Sequence, residues 1–121
     1  MPLDYHELRE NLPPLVQNQH RAMESLIEEL EAVQWYHERA TVTEDDTLRD
    51  VLLHNRNEEI EHAMMNLEWI RRNWPEFDEQ MRTYLFQSAP ITEIEEQAEA
   101  AEGESGGSKP ADGSLNIGPM R

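Results

Sequence analysis

The chain has 121 residues and a formal net charge of −16. That length holds one small domain at most, and that charge excludes nucleic acid and anionic membrane as partners, because the protein's own field repels phosphates and favours cations. With no cysteine anywhere, disulfides, thiolate zinc sites, iron–sulfur clusters and thiol catalysis are excluded together, and any metal has to be held by carboxylate, imidazole or main-chain oxygen.

Met1 to Glu10 is polar and lacks a basic stretch followed by an apolar one, and no run of about eighteen apolar residues occurs, so the expectation is a soluble, cytoplasmic protein. After an amphipathic lead-in from Tyr5 to Asn11, Pro13 and Pro14 suit the opening of a helix, where a missing N–H costs least. Val16, Met23, Leu26, Ile27, Leu30, Val33 and Tyr36 then recur at three- and four-residue spacing, which predicts a packed helix about 40 Å long, ending near Ala40. Thr43 or Asp46 is expected to cap a second helix. That helix carries Val51, Leu52, Ile60, Ala63, Met64, Leu67 and Ile70 and stops near Trp74, since Pro75 disfavours helix in the residue before it. Trp69 is expected to pack between the helices. Met23, Met64, Met65 and Met81 read as core filler. Pro75 to Phe86 reads as a short third helix, and Thr92 with Glu95 resembles a capping box opening a brief acidic fourth one.

The fold class is therefore all-α: a long antiparallel two-helix hairpin, half of a ferritin-like four-helix bundle, with short C-terminal helices. Such a hairpin exposes apolar surface along both helices, and dimerisation into a four-helix bundle is the simplest way to cover it. Residues 1–96 form the helical domain, 97–111 a flexible acidic Gly/Ser linker, and 112–121 a tail that regains apolar residues in Leu115, Ile117 and Met120, as a segment bound by something else would.

Glu59 and His62 form a Glu-x-x-His pattern on the second helix, and residues three apart project from one helical face, where they can share a cation. A di-iron site of the ferritin type takes one glutamate from each of two helices and a Glu-x-x-His from each of two others. This chain offers half of that set, and a two-fold dimer offers all of it. Helix 1 supplies three candidates for the single glutamate, Glu28, Glu29 and Glu31. Glu29 lies four residues before Val33 and seven before Tyr36, on the packed stripe, and is the choice. Glu58 to Glu61 read alone is a solvated charge run. His20, His37 and His54 have no carboxylate at a clear ligand spacing on their own face and are left out.

The runs Glu28-Glu29-Leu30-Glu31-Ala32-Val33-Gln34-Trp35-Tyr36 and His54 through Arg72, with Arg82-Thr83-Tyr84-Leu85-Phe86 and Pro90-Ile91-Thr92, resemble the encapsulated ferritin family. Asp112-Gly113-Ser114-Leu115-Asn116-Ile117-Gly118 resembles the peptide by which cargo docks inside encapsulin shells, and departs from it at Pro119-Met120-Arg121. The resemblance implies a ferroxidase that oxidises Fe(II) with O2, two irons per dimer interface being held by Glu29, Glu59 and His62 of each chain. It further implies Tyr36 beside the ligands as a catalytic residue, Trp35 at the interface, Glu28 and Glu31 as acidic positions that draw cations in, and an annular decamer of five dimers that stores iron within an encapsulin nanocompartment. The competing readings are a non-catalytic acidic interaction module, a metal buffer or hemerythrin-like carrier, for which a single well-placed histidine is too few, and a di-iron oxidase of organic substrates, for which a split site leaves little pocket.

Overall fold

The structure, a computed structural model, describes residues 3–105. It divides into two compact units, the first ending at Trp74 and the second beginning at Pro75. The first is a helical hairpin of α1 (Pro14–Val42) and α2 (Asp46–Arg72).

Pro14 occupies the first turn of α1, as its missing N–H allows. A 3-10 turn, Arg9–Asn11, precedes it, and Gln17 Nε2 donates to the carbonyls of Arg9 and Leu12 at 3.1 and 2.9 Å. The Tyr5 ring stacks on His20 with centroids 3.7 Å apart. His20 Nε2 lies 2.8 Å from the Leu3 carbonyl, and the Leu3 N–H donates to Glu24 at 3.4 Å. His20 therefore plays a structural part, strapping the lead-in along the first half of α1.

The cap of α2 is Asp45, between the two expected candidates. It accepts the Leu48 N–H at 2.9 Å and the Thr47 hydroxyl at 2.6 Å, and these two bonds, the Thr47 one foremost, hold its carboxyl below the usual carboxylate range. Thr43 instead closes α1, its hydroxyl donating to the Arg39 carbonyl, and Asp46 is already helical and pairs with Arg49. Arg49 also donates to the Thr43 carbonyl at 2.9 Å, which fixes the three-residue turn. At the far end Gln19 donates to the Asn73 carbonyl at 2.8 Å and ties the start of α1 to the end of α2.

Arg71 and Arg72 lie in the last turn of α2, where positive charge suits the helix dipole. Both reach Glu68, at 2.8 and 2.7 Å, and hold it down to about 2, Arg71 contributing more than Arg72. A carboxyl depressed on folding adds stability that is complete above its ordinary value and is lost as pH falls from there towards 2. The group is 40% exposed, so solvent screening limits the effect to under about 1 kcal/mol. Glu68→Gln is accordingly expected to lower the thermal midpoint slightly at pH 7 and by less at pH 3, as followed by circular dichroism.

One seam between two helices buries little. Ala40, Ala63 and Ile70 are the buried apolar residues of the hairpin, with Leu26, Val33, Leu52 and Leu67 half-buried beside them. Val16, Leu30, Val51, Ile60 and Met64, expected in the packed stripes, are exposed. Trp69, expected to pack between the helices, is 38% exposed, and Met65 is 64% exposed rather than core filler. The reason is geometric: a packed face spans about 100° of each helix, and side chains to either side of it meet no third element of the hairpin.

In the second unit, α3 (Pro75–Tyr84) is braced by Asp78 and Arg82 at 3.0 Å. After it Phe86 adopts φ 61, the left-handed conformation of a helix terminus, with its ring in solvent. α4 (Ile91–Ser105) starts two residues earlier than a Thr92 cap requires, because the Pro90 carbonyl takes the N–H groups of Glu93 and Ile94. Thr92 is thus inside the helix. α4 also runs through the first part of the segment expected to be a flexible linker, since Gln97 to Glu102 consists of good helix formers, alanine, glutamate and glutamine. Residues 106–111 of that linker and the tail 112–121 lie outside the described residues.

Candidate metal centre

Glu29 stands mid-way along α1 on the side facing α2, and Glu59 and His62, one turn apart, stand mid-way along α2 on the side facing α1. One ligand atom from each lies within 4.8 Å of the other two, and no other group of three such side chains meets that condition among the described residues. His62 Nδ1 is 3.6 Å from Glu59 and 3.8 Å from Glu29. Ligand atoms bound to one cation at about 2.1 Å sit about 3 to 4 Å apart, so these separations match the coordination sphere of a first-row divalent ion. Two carboxylates and an imidazole are hard and borderline donors, suited to iron, manganese or zinc.

The electrostatics agree. The Glu29 carboxyl is raised above its usual value, first by its hydrogen bond with the Glu59 side chain, then by burial and by the Glu59 charge; His62 opposes the rise. Two like carboxylates this close repel each other, and a cation between them removes the repulsion. Glu29 and Glu59 are 26% and 24% exposed while His62 is 46% exposed, so the group opens towards the side on which His62 stands.

Glu58 is a residue that sequence reasoning does not single out. Its carboxylate lies 4.0 Å from His62 Nε2 and 3.7 Å from His54 Nε2. His62 thus turns Nδ1 to the two candidate ligands and Nε2 towards Glu58, whose carboxylate at 4.0 Å lies beyond hydrogen-bond distance. His54 therefore does have a carboxylate partner on its own face. The signal is present in the i, i+4 spacing of His54, Glu58 and His62, which the acidic run around it obscures.

Of the remaining candidates, Glu28 is exposed and Glu31 half-buried on either side of Glu29. Tyr36 lies two turns along α1 from Glu29, with the Arg39 guanidinium 5.5 Å above its ring, and it is not one of the three grouped ligands. Trp35 is 52% exposed.

A family model described as EncFtn-like matches residues 4–88. The chain belongs to the EncFtn-like family, the encapsulated ferritins. It is 52% identical over 113 residues to a "Ferritin-like protein" of Thermotoga maritima, the match covering 93% of this chain and 94% of the other. An "Encapsulated ferritin-like protein" of Rhodospirillum rubrum is 47% identical over 121 residues, covering 96% and 86%. Among solved structures, protein ne0167 from Nitrosomonas europaea superposes with a TM-score of 0.70 at 47% identity, over 74% of this chain and 98% of that one. The helical hairpin is thus the encapsulated ferritin fold, half of a ferritin-like bundle. No described helix is long and apolar enough to cross a membrane.

Proposed function

We propose that this encapsulated ferritin is a ferroxidase, which oxidises Fe(II) to Fe(III) with O2 at a di-iron site completed by a second copy of the chain. The observation that carries the proposal is the convergence of Glu29, Glu59 and His62, three ligands of the ferritin type on one hairpin. Three ligands are half of the usual set. The open side at His62 and the apolar faces beside it fit a two-fold partner, which brings the other three ligands so that two irons lie near the axis.

In this reading Fe(II) is the substrate. Carboxylates favour the harder Fe(III) product, and two irons held together deliver two electrons to one O2, which is reduced as they are oxidised. A cation held between Glu29 and Glu59 relieves the repulsion that raises the Glu29 carboxyl, and Glu28 and Glu31 raise the local cation concentration. Tyr36 and Trp35 lie beside the completed site at the dimer interface.

The wider reading is the one the family resemblance implies, and the name of the Rhodospirillum rubrum relative, "Encapsulated ferritin-like protein", supports its encapsulation. The dimers form an annular decamer, residues 112–121 dock on an encapsulin shell in the cytoplasm, and the shell provides the volume for mineral that a ring lacks. The test is O2 uptake and stopped-flow absorbance after mixing anaerobic protein with Fe(II), beside a Glu29→Ala/Glu59→Ala/His62→Ala chain. Fast oxidation by the parent alone supports the ferroxidase; equal slow rates in both refute it.

A further inference from the structure

Arg56 stands on α2 three residues before Glu59, a spacing at which arginine and glutamate on one helix come within reach of each other. Elsewhere in the chain arginines pair with an acid three or four residues before them, as Arg49 does with Asp46, Arg71 and Arg72 with Glu68, and Arg82 with Asp78; Arg56 has leucines at those positions, and Glu59, three residues after it, is the acid within reach on its own helix. Arg56 turns another way. Its Nη1 lies 3.1 Å from Nδ1 of His37, across the seam on α1. Its Nε and Nη2 donate to the Asn57 side-chain oxygen at 3.2 and 3.0 Å.

A guanidinium only donates, so in this contact the Nδ1 lone pair of His37 accepts. All three guanidinium nitrogens are thus engaged by uncharged groups, although the chain has 26 acidic side chains. The consequence falls on Glu59, whose carboxylate is left to Glu29 and His62. If the guanidinium swung onto Glu59, its charge would occupy the place a cation needs.

We propose that His37 and Asn57 are positioning residues that hold the Arg56 guanidinium away from Glu59, so that the Glu29, Glu59 and His62 group stays open to a divalent cation. This rests on the metal-centre reading above. A competing arginine–glutamate pair at a partly exposed position is worth up to about 1 kcal/mol, which is a change of about fivefold in cation affinity.

The experiment is Co(II) titration of the full chain, read by the visible absorption of the bound ion, which needs no turnover. His37→Leu/Asn57→Ala is expected to bind Co(II) about threefold to fivefold more weakly than the parent, with unchanged helicity. Adding Arg56→Gln to that pair restores parental affinity, whereas Arg56→Gln alone has a smaller effect. Were His37 and Asn57 merely structural, the triple variant would stay as weak as the double. Parental affinity in the double variant, or failure of Arg56→Gln to restore it, overturns the proposal. If the parent binds no Co(II), or if Glu59→Ala binds it as well as the parent does, the metal-centre reading fails and takes this proposal with it.

Discussion

Glu29→Gln is expected to lower the rate of Fe(II) oxidation by about 100-fold or more and, at the same time, to make the metal-free hairpin more stable. The two effects have one origin. In the metal-free chain the Glu29 and Glu59 carboxylates face each other, and Glu29 is raised because their hydrogen bond, burial and mutual repulsion all favour its protonated form. An acid raised on folding contributes favourably below its ordinary value of 4.5 and loses that contribution as pH climbs through the raised value. At pH 7 the pair is therefore a net cost, of about 0.5 kcal/mol by the like-charge pairs measured on helices. Glutamine keeps the shape and the hydrogen bond and removes the charge. The stability gain should be present at pH 7 and shrink as pH falls through the raised Glu29 value towards 4.5, as thermal unfolding of the chelator-treated proteins will measure. Loss of activity together with loss of stability at pH 7 would mean that Glu29 serves the fold and not the metal.

The grouping of Glu29, Glu59 and His62 is legible in the sequence while much of its surroundings is not. A Glu-x-x-His on a helix names its own geometry, since three residues fix one face, and Glu29 follows from the stripe shared with Val33 and Tyr36. The family resemblance rests on the same stretches, and residues 4–88 match the family. The hairpin itself is equally plain, because two helices of 29 and 27 residues leave a periodic record and Pro14 and Pro75 mark two of their ends.

The misses share a physical cause as well. Helical periodicity shows that Val51, Met64 and Met65 are apolar at regular spacing, but not whether the surface that covers them belongs to the same chain. Trp69 is expected inside the hairpin for that reason, and the single chain leaves it part-exposed. Asp45 loses the cap to its neighbours on sequence alone because all three of Thr43, Asp45 and Asp46 can cap, and the choice depends on where the turn closes, which Arg49 decides by reaching the Thr43 carbonyl. Glu58 is hidden in an acidic run, where only the direction of the His62 ring distinguishes it from Glu61.

Met65→Glu is expected to leave the hairpin folded and to abolish both assembly and fast Fe(II) oxidation, although every candidate ligand remains. Val51, His62, Met65 and Trp69 fall on one side of α2 by their spacing, and all four are at least partly exposed. The site opens on that same side. If a second copy covers it, a two-fold operator brings both copies of each substitution into one interface, so two carboxylates are buried without partners. Each such charge costs several kcal/mol, which weakens dimerisation by at least about 1000-fold. The isolated chain loses little, because Met65 is 64% exposed there, and circular dichroism should be unchanged. Native mass spectrometry would show monomer in place of the oligomer, and O2 uptake would fall to that of the ligand-free variant. An oligomer that persists and still consumes O2 would mean that this side of α2 is not where the second copy binds, and that the missing three ligands have to be sought on another face.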